Sequence, residues 1–171
     1  MIAGEQLLSS VKSVQYLFNE LQHYSGTSDQ RLRTGGYEVP SYVLYEQSTG
    51  QLTLVDGLSG MEVSLCGGYA GRGWGFNNHD AQNEKDIGPL PEGNYRIGQI
   101  QTNTVRAQSL NPRDMEFSMR LTPMTNIDTR SGFLIHDDFG VRNASNGCIC
   151  TPKTVRQAIA GTGVRLLRVV P

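Results

Sequence analysis

Three things are scarce in this sequence: cysteine, net charge and uninterrupted hydrophobic runs. Only Cys66, Cys148 and Cys150 occur in 171 residues. An odd count in a chain this long is not a disulfide framework. It fits synthesis in a reducing compartment, with at least one thiol kept for another use. The formal net charge of -1 removes any general electrostatic attraction to nucleic acid. No Lys/Arg block and no Gly-Lys-Ser/Thr phosphate loop is present, so a nucleotide or DNA role has no support. No stretch reaches membrane-spanning length, and membrane insertion is not expected. Met1-Ile2-Ala3-Gly4-Glu5 carries no basic residue, and polar residues interrupt each apolar run that follows, so a secretory signal is not expected either. Against these absences, 37% hydrophobic and 18% charged residues describe a globular chain of one ordinary domain.

Residues 5–23 carry helical periodicity: Leu7, Leu8, Val11, Val14, Leu17, Phe18 and Leu21 share one face. An amphipathic helix of this length needs a surface to cover its stripe, either its own domain or a partner. Gly26 to Gly36 is polar and reads as a linker, so residues 1–36 are expected as helix and linker and 37–171 as the main domain. The period then changes to two. Tyr42–Glu46 and Gln51–Val55 flank Gln47-Ser48-Thr49-Gly50 as a β-hairpin, and Met61 to Cys66 follows as a strand. Gly67 to Gly75 holds five glycines in nine residues around Tyr69, Arg72 and Trp74. Such a loop often lines a site. Gly88-Pro89-Leu90-Pro91-Glu92-Gly93 is a rigid turn into a strand at 94–97. Further strands are expected at 117–121 and 132–136, a short helix at 154–160, and a buried strand closing the chain at 163–170. The expected fold is mainly β and mainly antiparallel.

Chemistry concentrates in His136 to Cys150. A strand ends in His136, a polar loop follows, and the chain returns through Ser145-Asn146-Gly147-Cys148. A thiol is activated when an adjacent imidazole takes its proton. Gly147 permits unusual backbone angles and close approach of a carbonyl. The N–H groups of Gly147 and Cys148 would serve as oxyanion donors, with Ser145 orienting His136 or shaping that hole. On chemistry alone other readings stay open: Cys148 as a packed core thiol, His136 as a strand-end residue satisfied by backbone, or a metal site from His136, Asp137 or Asp138, Cys148 and Cys150. Zinc ligands usually come as spaced Cys-x-x-Cys pairs, which are lacking here, and no metal or other cofactor is expected. His79 reads as a solvated loop residue or a substrate contact, His23 as a surface residue, and Cys66 as packing, with a bond to Cys150 conceivable under oxidising conditions.

Ser145-Asn146-Gly147-Cys148-Ile149 after a strand-end His resembles the Ser/Thr-His-Gly-Cys core of L,D-transpeptidase catalytic domains. One branch is more similar: the L,D-transpeptidase-like toxin effectors of bacterial type VI secretion. The resemblance runs through Gln47-Ser48-Thr49-Gly50-Gln51-Leu52-Thr53, Asn77-Asn78, Gly88-Pro89-Leu90-Pro91-Glu92-Gly93-Asn94-Tyr95 and the Phe-x-x-His strand before Gly-Cys, spanning about residues 42–151. It implies a β-sandwich-like catalytic domain, a peptidoglycan stem peptide as substrate, Cys148 as nucleophile and His136 as base. It further implies hydrolysis or amine transfer from an acyl-enzyme, action in a target cell's periplasm, an immunity protein, and a secretion-apparatus partner for which the N-terminal helix would be a loading element.

Two departures stand beside the nucleophile. Asn146 replaces the usual His, and Cys150 replaces the Arg or Asn two positions after the Cys. Arg142 or Arg72 would then hold a substrate carboxylate, with Asn146, Asn78 and Trp74 as further substrate contacts. The competing functions are a non-catalytic wall-binding or phage-structural module of the same fold, and a metal-dependent hydrolase.

Overall fold

Period-two patterning becomes a hairpin at the residues expected. In the computed structural model, β1 (Tyr42–Glu46) and β2 (Gln51–Val55) pair antiparallel, with Tyr45 opposite Leu52. Val43, Tyr45, Leu52 and Leu54 all turn into the core, as alternation requires. Gly50 closes the turn at φ 72°, where an added Cβ would lie 2.1 Å from the Gly68 carbonyl oxygen, so only glycine fits. The structure describes residues 40–101, 117–125, 127, 130–138 and 145–171. The expected helix at 5–23 and linker at 26–36 lie outside the described residues.

The remaining elements are β3 (Glu62–Gly67), β4 (Tyr69–Ala70), β5 (Gly93–Gln101), β6 (Ser118–Pro123), β7 (Leu134–His136), β8 (Ile149–Cys150), α1 (Lys153–Gly161) and β9 (Leu166–Val170). They form a nine-stranded sheet in the order β3-β2-β1-β9-β5-β6-β7-β8-β4. The closing strand is buried as expected, inserted between β1 and β5. Two pairings, β1 with β9 and β7 with β8, are parallel. Patterning gives which face is buried and not which neighbour a strand meets, so these were not legible in advance. The glycine-rich loop also holds more order than its sequence suggests, with short 3-10 turns at Gly73–Gly75 and His79–Ala81.

The core gathers Tyr45, Tyr95, Ile97, Met119, Phe133, Ile135, Ile149, Ile159 and Leu167. Helix α1 contributes Val155, Ala158 and Ile159 from one face. That face also carries Arg156, which is 1% exposed. Its guanidinium donates to the carbonyls of Thr151 and of Phe117 (3.2 Å), and pairs with Asp137 Oδ2 at 3.3 Å. A buried charge needs such partners. Together these bonds tie α1 to the end of β8, the start of β6 and the residue after His136.

Candidate active site

His136 ends β7, is 4% exposed, and stands opposite Cys150 in the parallel β7–β8 register. Directly opposed residues share a sheet face. His136 Nε2 lies 3.9 Å from Cys150 Sγ, while Nδ1 is hydrogen-bonded to the Asp137 carbonyl. A carbonyl only accepts, so Nδ1 carries the proton of the neutral ring and Nε2 turns its lone pair toward Cys150. This is the tautomer a general base needs.

The turn from Ser145 to Cys148 brings the second thiol to the same place. Ser145 is fully buried, and its Oγ donates to the Cys148 carbonyl at 2.5 Å. The same oxygen accepts from Gly147 N–H at 3.1 Å and Gly71 N–H at 3.3 Å. Ser145 therefore locks the turn and pins it to the glycine-rich loop, where the sequence had suggested that it orients His136 or shapes the oxyanion hole. Gly147 N–H, expected as an oxyanion donor, is taken up inside that turn. Gly147 sits at φ 113°, and a Cβ there would lie 2.1 Å from Arg130 Nη2. Cys148 is half-buried. It is close enough to Arg130 and to Cys150 for its charge to bear on both.

The two neighbouring thiols differ chemically. Cys150 is 1% exposed, and burial pushes its thiol up to about 12. At pH 7 such a thiol is deprotonated in about one molecule in 10⁵. All three cysteines are free thiols. Among the described residues no group of three or more His, Cys, Asp or Glu is arranged to hold a metal ion.

A cavity of about 640 Å³ opens beside Cys150, within the usual range for small-molecule sites; His136 and Cys148 are not part of its lining. Its lining includes Gly68, Tyr69, Phe76 and Asn77 from the glycine-rich loop, and Asp137, Asp138, Cys150 and Lys153. The Tyr69 and Phe76 rings stack at 4.8 Å. Asn77 accepts from Ala70 N–H at 2.9 Å and the Tyr45 hydroxyl at 3.3 Å, so it holds the lining's shape.

Of the other residues singled out from sequence, Asn146 is exposed, and its carbonyl accepts from Arg130 Nη2 at 3.1 Å. Asn78 donates to the Trp74 carbonyl at 3.1 Å and accepts from Asp80 N–H at 3.2 Å, capping a 3-10 turn. Trp74 is 60% exposed and Arg72 is also exposed. Arg72, Trp74 and Asn78 are outside the cavity lining. Arg142 lies outside the described residues. His79 is half-buried, and its Nδ1 lies 2.5 Å from Oε1 of the fully buried Gln47, making it a structural contact. Tyr69, in the loop that the sequence marked as site-lining, does line the cavity; sequence reasoning missed Phe76 and Lys153 as lining residues, and Arg130 and Arg156 as buried cations. Aromatics and basic residues at scattered positions carry no sequence signal for a shared cavity.

The Tlde1 domain matches residues 65–169, more than half of the chain. The chain belongs to the Tlde1 domain family. This is a type VI effector family, and the chain is an L,D-transpeptidase-like effector. The Tlde1 domain here is mainly β with an L,D-transpeptidase-like fold. Its structure is similar to Bd1075 of Bdellovibrio bacteriovorus (14% identity, TM-score 0.51, covering 81% of this chain and 49% of that one). It is also similar to an L,D-transpeptidase from Mycobacterium tuberculosis (14%, 0.50, 77% and 57%). The catalytic domain of the E. faecium L,D-transpeptidase matches at 17% identity and TM-score 0.46, over 79% of this chain and 100% of that one. Against the two longer relatives, the chain spans 49% and 57% of their length. No curated protein matches it.

Proposed function

We propose that this Tlde1 domain is a cysteine enzyme acting on peptidoglycan stem peptides, with Cys148 as nucleophile and His136 as base. The observation that carries this reading is the His136 ring: Nδ1 is tied to the Asp137 carbonyl, and Nε2 lies 3.9 Å from Sγ of Cys150, two residues past Cys148 on the same segment. Cys148 is preferred over Cys150 because Cys150 is buried and holds its proton. In the reaction, Nε2 takes the Cys148 proton and the thiolate attacks the carbonyl between diaminopimelate and D-alanine. The oxyanion is assigned to the Cys148 N–H, since Gly147 N–H serves the turn. The imidazolium then returns its proton to the leaving D-alanine amine, giving a thioester on Cys148. Water releases a tripeptide (L,D-carboxypeptidase); an amine gives cross-linking or D-amino-acid exchange.

The cavity beside Cys150 is assigned to the stem peptide. Lys153 at its rim supplies the carboxylate-holding cation that the sequence had sought in Arg142 or Arg72. We extend the reading to an antibacterial toxin working in a target cell's periplasm, with an immunity protein and a secretion component as partners, because the chain belongs to a type VI effector family. The test is to incubate wild type, Cys148→Ala and Cys150→Ala with diaminopimelate-type muropeptides and follow tetrapeptide loss by mass spectrometry. Turnover by wild type and Cys150→Ala, and none by Cys148→Ala, is expected. No turnover by wild type favours the wall-binding module. Turnover that survives Cys148→Ala but not a chelator favours the metal hydrolase.

A further inference from the structure

Arg130 occupies a place that its charge does not by itself explain. It is 7% exposed, and its guanidinium makes four hydrogen bonds, each to a carbonyl. Nη1 donates to Gln82 O at 2.5 Å and Pro89 O at 2.7 Å; Nη2 donates to Gly88 O at 2.8 Å and Asn146 O at 3.1 Å. Its carbon lies 5.3 Å from the centre of the Phe133 ring, just ahead of the strand that ends in His136. Gly147 packs so closely against Nη2 that no Cβ fits between them. One side chain thus joins the Gly88-Pro89 turn, the nucleophile turn and the approach to β7.

Four carbonyls satisfy the donors but do not neutralise the charge. A buried cation without a carboxylate in contact is costly unless another anion faces it. Burial works against its charge, and among the described residues three titratable groups bear on it in the opposite sense: Tyr95, Asp86 and Cys148. Asp86 makes no ion pair with it and, with Lys85, lines a small cleft of about 170 Å³ at its outer side. The Tyr95 hydroxyl donates to Pro91 O at 2.7 Å and is held neutral by burial. Of the three, only Cys148 belongs to the turn that Arg130 grips.

We propose that Arg130 is the positioning residue of the nucleophile turn, clamping it through Asn146 O and Gly147 while holding a fixed positive charge beside Cys148. The inference rests on Cys148 as nucleophile. Two consequences separate it from a purely structural role: the charge favours the Cys148 thiolate, and the four-carbonyl clamp sets the geometry of attack.

The test compares wild type, Arg130→Lys and Arg130→Met, each first checked for folding by circular dichroism. The rate of iodoacetamide alkylation at Cys148 is then read from pH 5 to 10 by peptide mapping, beside kcat and KM on muropeptides. Arg130→Met is expected to move the Cys148 profile up by about one pH unit, leaving about tenfold less thiolate at pH 7. Arg130→Lys is expected to keep most of that profile yet lose kcat at least about tenfold with KM little changed, since an ammonium cannot span four carbonyls. A folded Arg130→Met with the wild-type profile and kcat overturns the proposal. If only Arg130→Lys folds, its kcat decides alone: retained kcat overturns the clamp, lost kcat supports it. Failure of both to fold assigns Arg130 to the fold and also overturns it. A wild type whose Cys148 responds to Arg130 as described but turns over no muropeptide sinks the substrate reading and leaves this one standing.

Discussion

Replacing Gly147 with alanine puts the nucleophile turn under a measurable load. At φ 113° the backbone occupies a region that residues with a Cβ avoid, which costs about 1–3 kcal/mol. The new Cβ also lands 2.1 Å from Arg130 Nη2 and 3.0 Å from Phe133 Cε1. Both neighbours are buried, so relief requires the guanidinium to retreat. It then loses its bonds to Gly88 O (2.8 Å) and Asn146 O (3.1 Å), each charge-assisted and worth about 1.5–3 kcal/mol. Partial relaxation lowers the sum, and a loss of about 3–6 kcal/mol is expected. That is a large share of the ~5–15 kcal/mol that holds a domain together. Urea unfolding followed by tryptophan fluorescence and circular dichroism measures it. A Gly147→Ala protein within about 1 kcal/mol of wild type would refute the close packing of Arg130 under the turn.

The buried Cys150 thiol predicts a second asymmetry. Titrating at about 12 rather than the ordinary ~8.5, it should be alkylated at pH 7.5 about 100-fold more slowly than an exposed thiol, even after allowing for the greater nucleophilicity of its thiolate. Equal labelling of Cys148 and Cys150 would contradict the assignment. The same shift makes stability depend on pH. A group whose pKa is raised by folding contributes stability that is intact below about pH 8.5 and is lost as pH climbs toward 12, at up to about 1.4 kcal/mol per pH unit. Cys150→Ala should flatten that decline in urea titrations, and an unchanged slope would count against it. Arg156→Met strands the Thr151 and Phe117 carbonyls and should cost about 3 kcal/mol by the same unfolding assay, with a gain in stability as the refuting result. Lys153→Met should raise KM for tetrapeptide about three- to tenfold with kcat preserved; an unchanged KM removes Lys153 from substrate binding.

The sequence made some of this legible for identifiable reasons. The β1–β2 hairpin was visible because alternation and a Gly-closed turn coincide. The closing strand was visible because Leu166, Leu167, Val169 and Val170 leave little polar choice. His136 and Cys148 stood out as candidates because a strand-end His before Gly-Cys is a local pattern. What stayed hidden depends on contacts distant in sequence. Nothing in the sequence marks Arg130 and Arg156; carbonyls from three segments close around Arg130, and two carbonyls and the Asp137 carboxylate around Arg156. Gln47 and His79 read as loop polarity until they bond each other. The parallel β7–β8 register, which sets His136 opposite Cys150, cannot be read from either strand alone. Ser145 stood out beside Gly-Cys, and its bonds go to the turn and to Gly71.

The central claim is that Cys148 carries the acyl group, and trapping that group tests it most directly. Wild type, Cys148→Ala and Cys150→Ala are mixed with tetrapeptide muropeptide, quenched in acid within seconds, and examined by intact-mass spectrometry and peptide mapping. The account predicts a tripeptide-muropeptide thioester on Cys148 in wild type and Cys150→Ala, and no adduct in Cys148→Ala. A thioester mapped to Cys150, or turnover in Cys148→Ala, would contradict it.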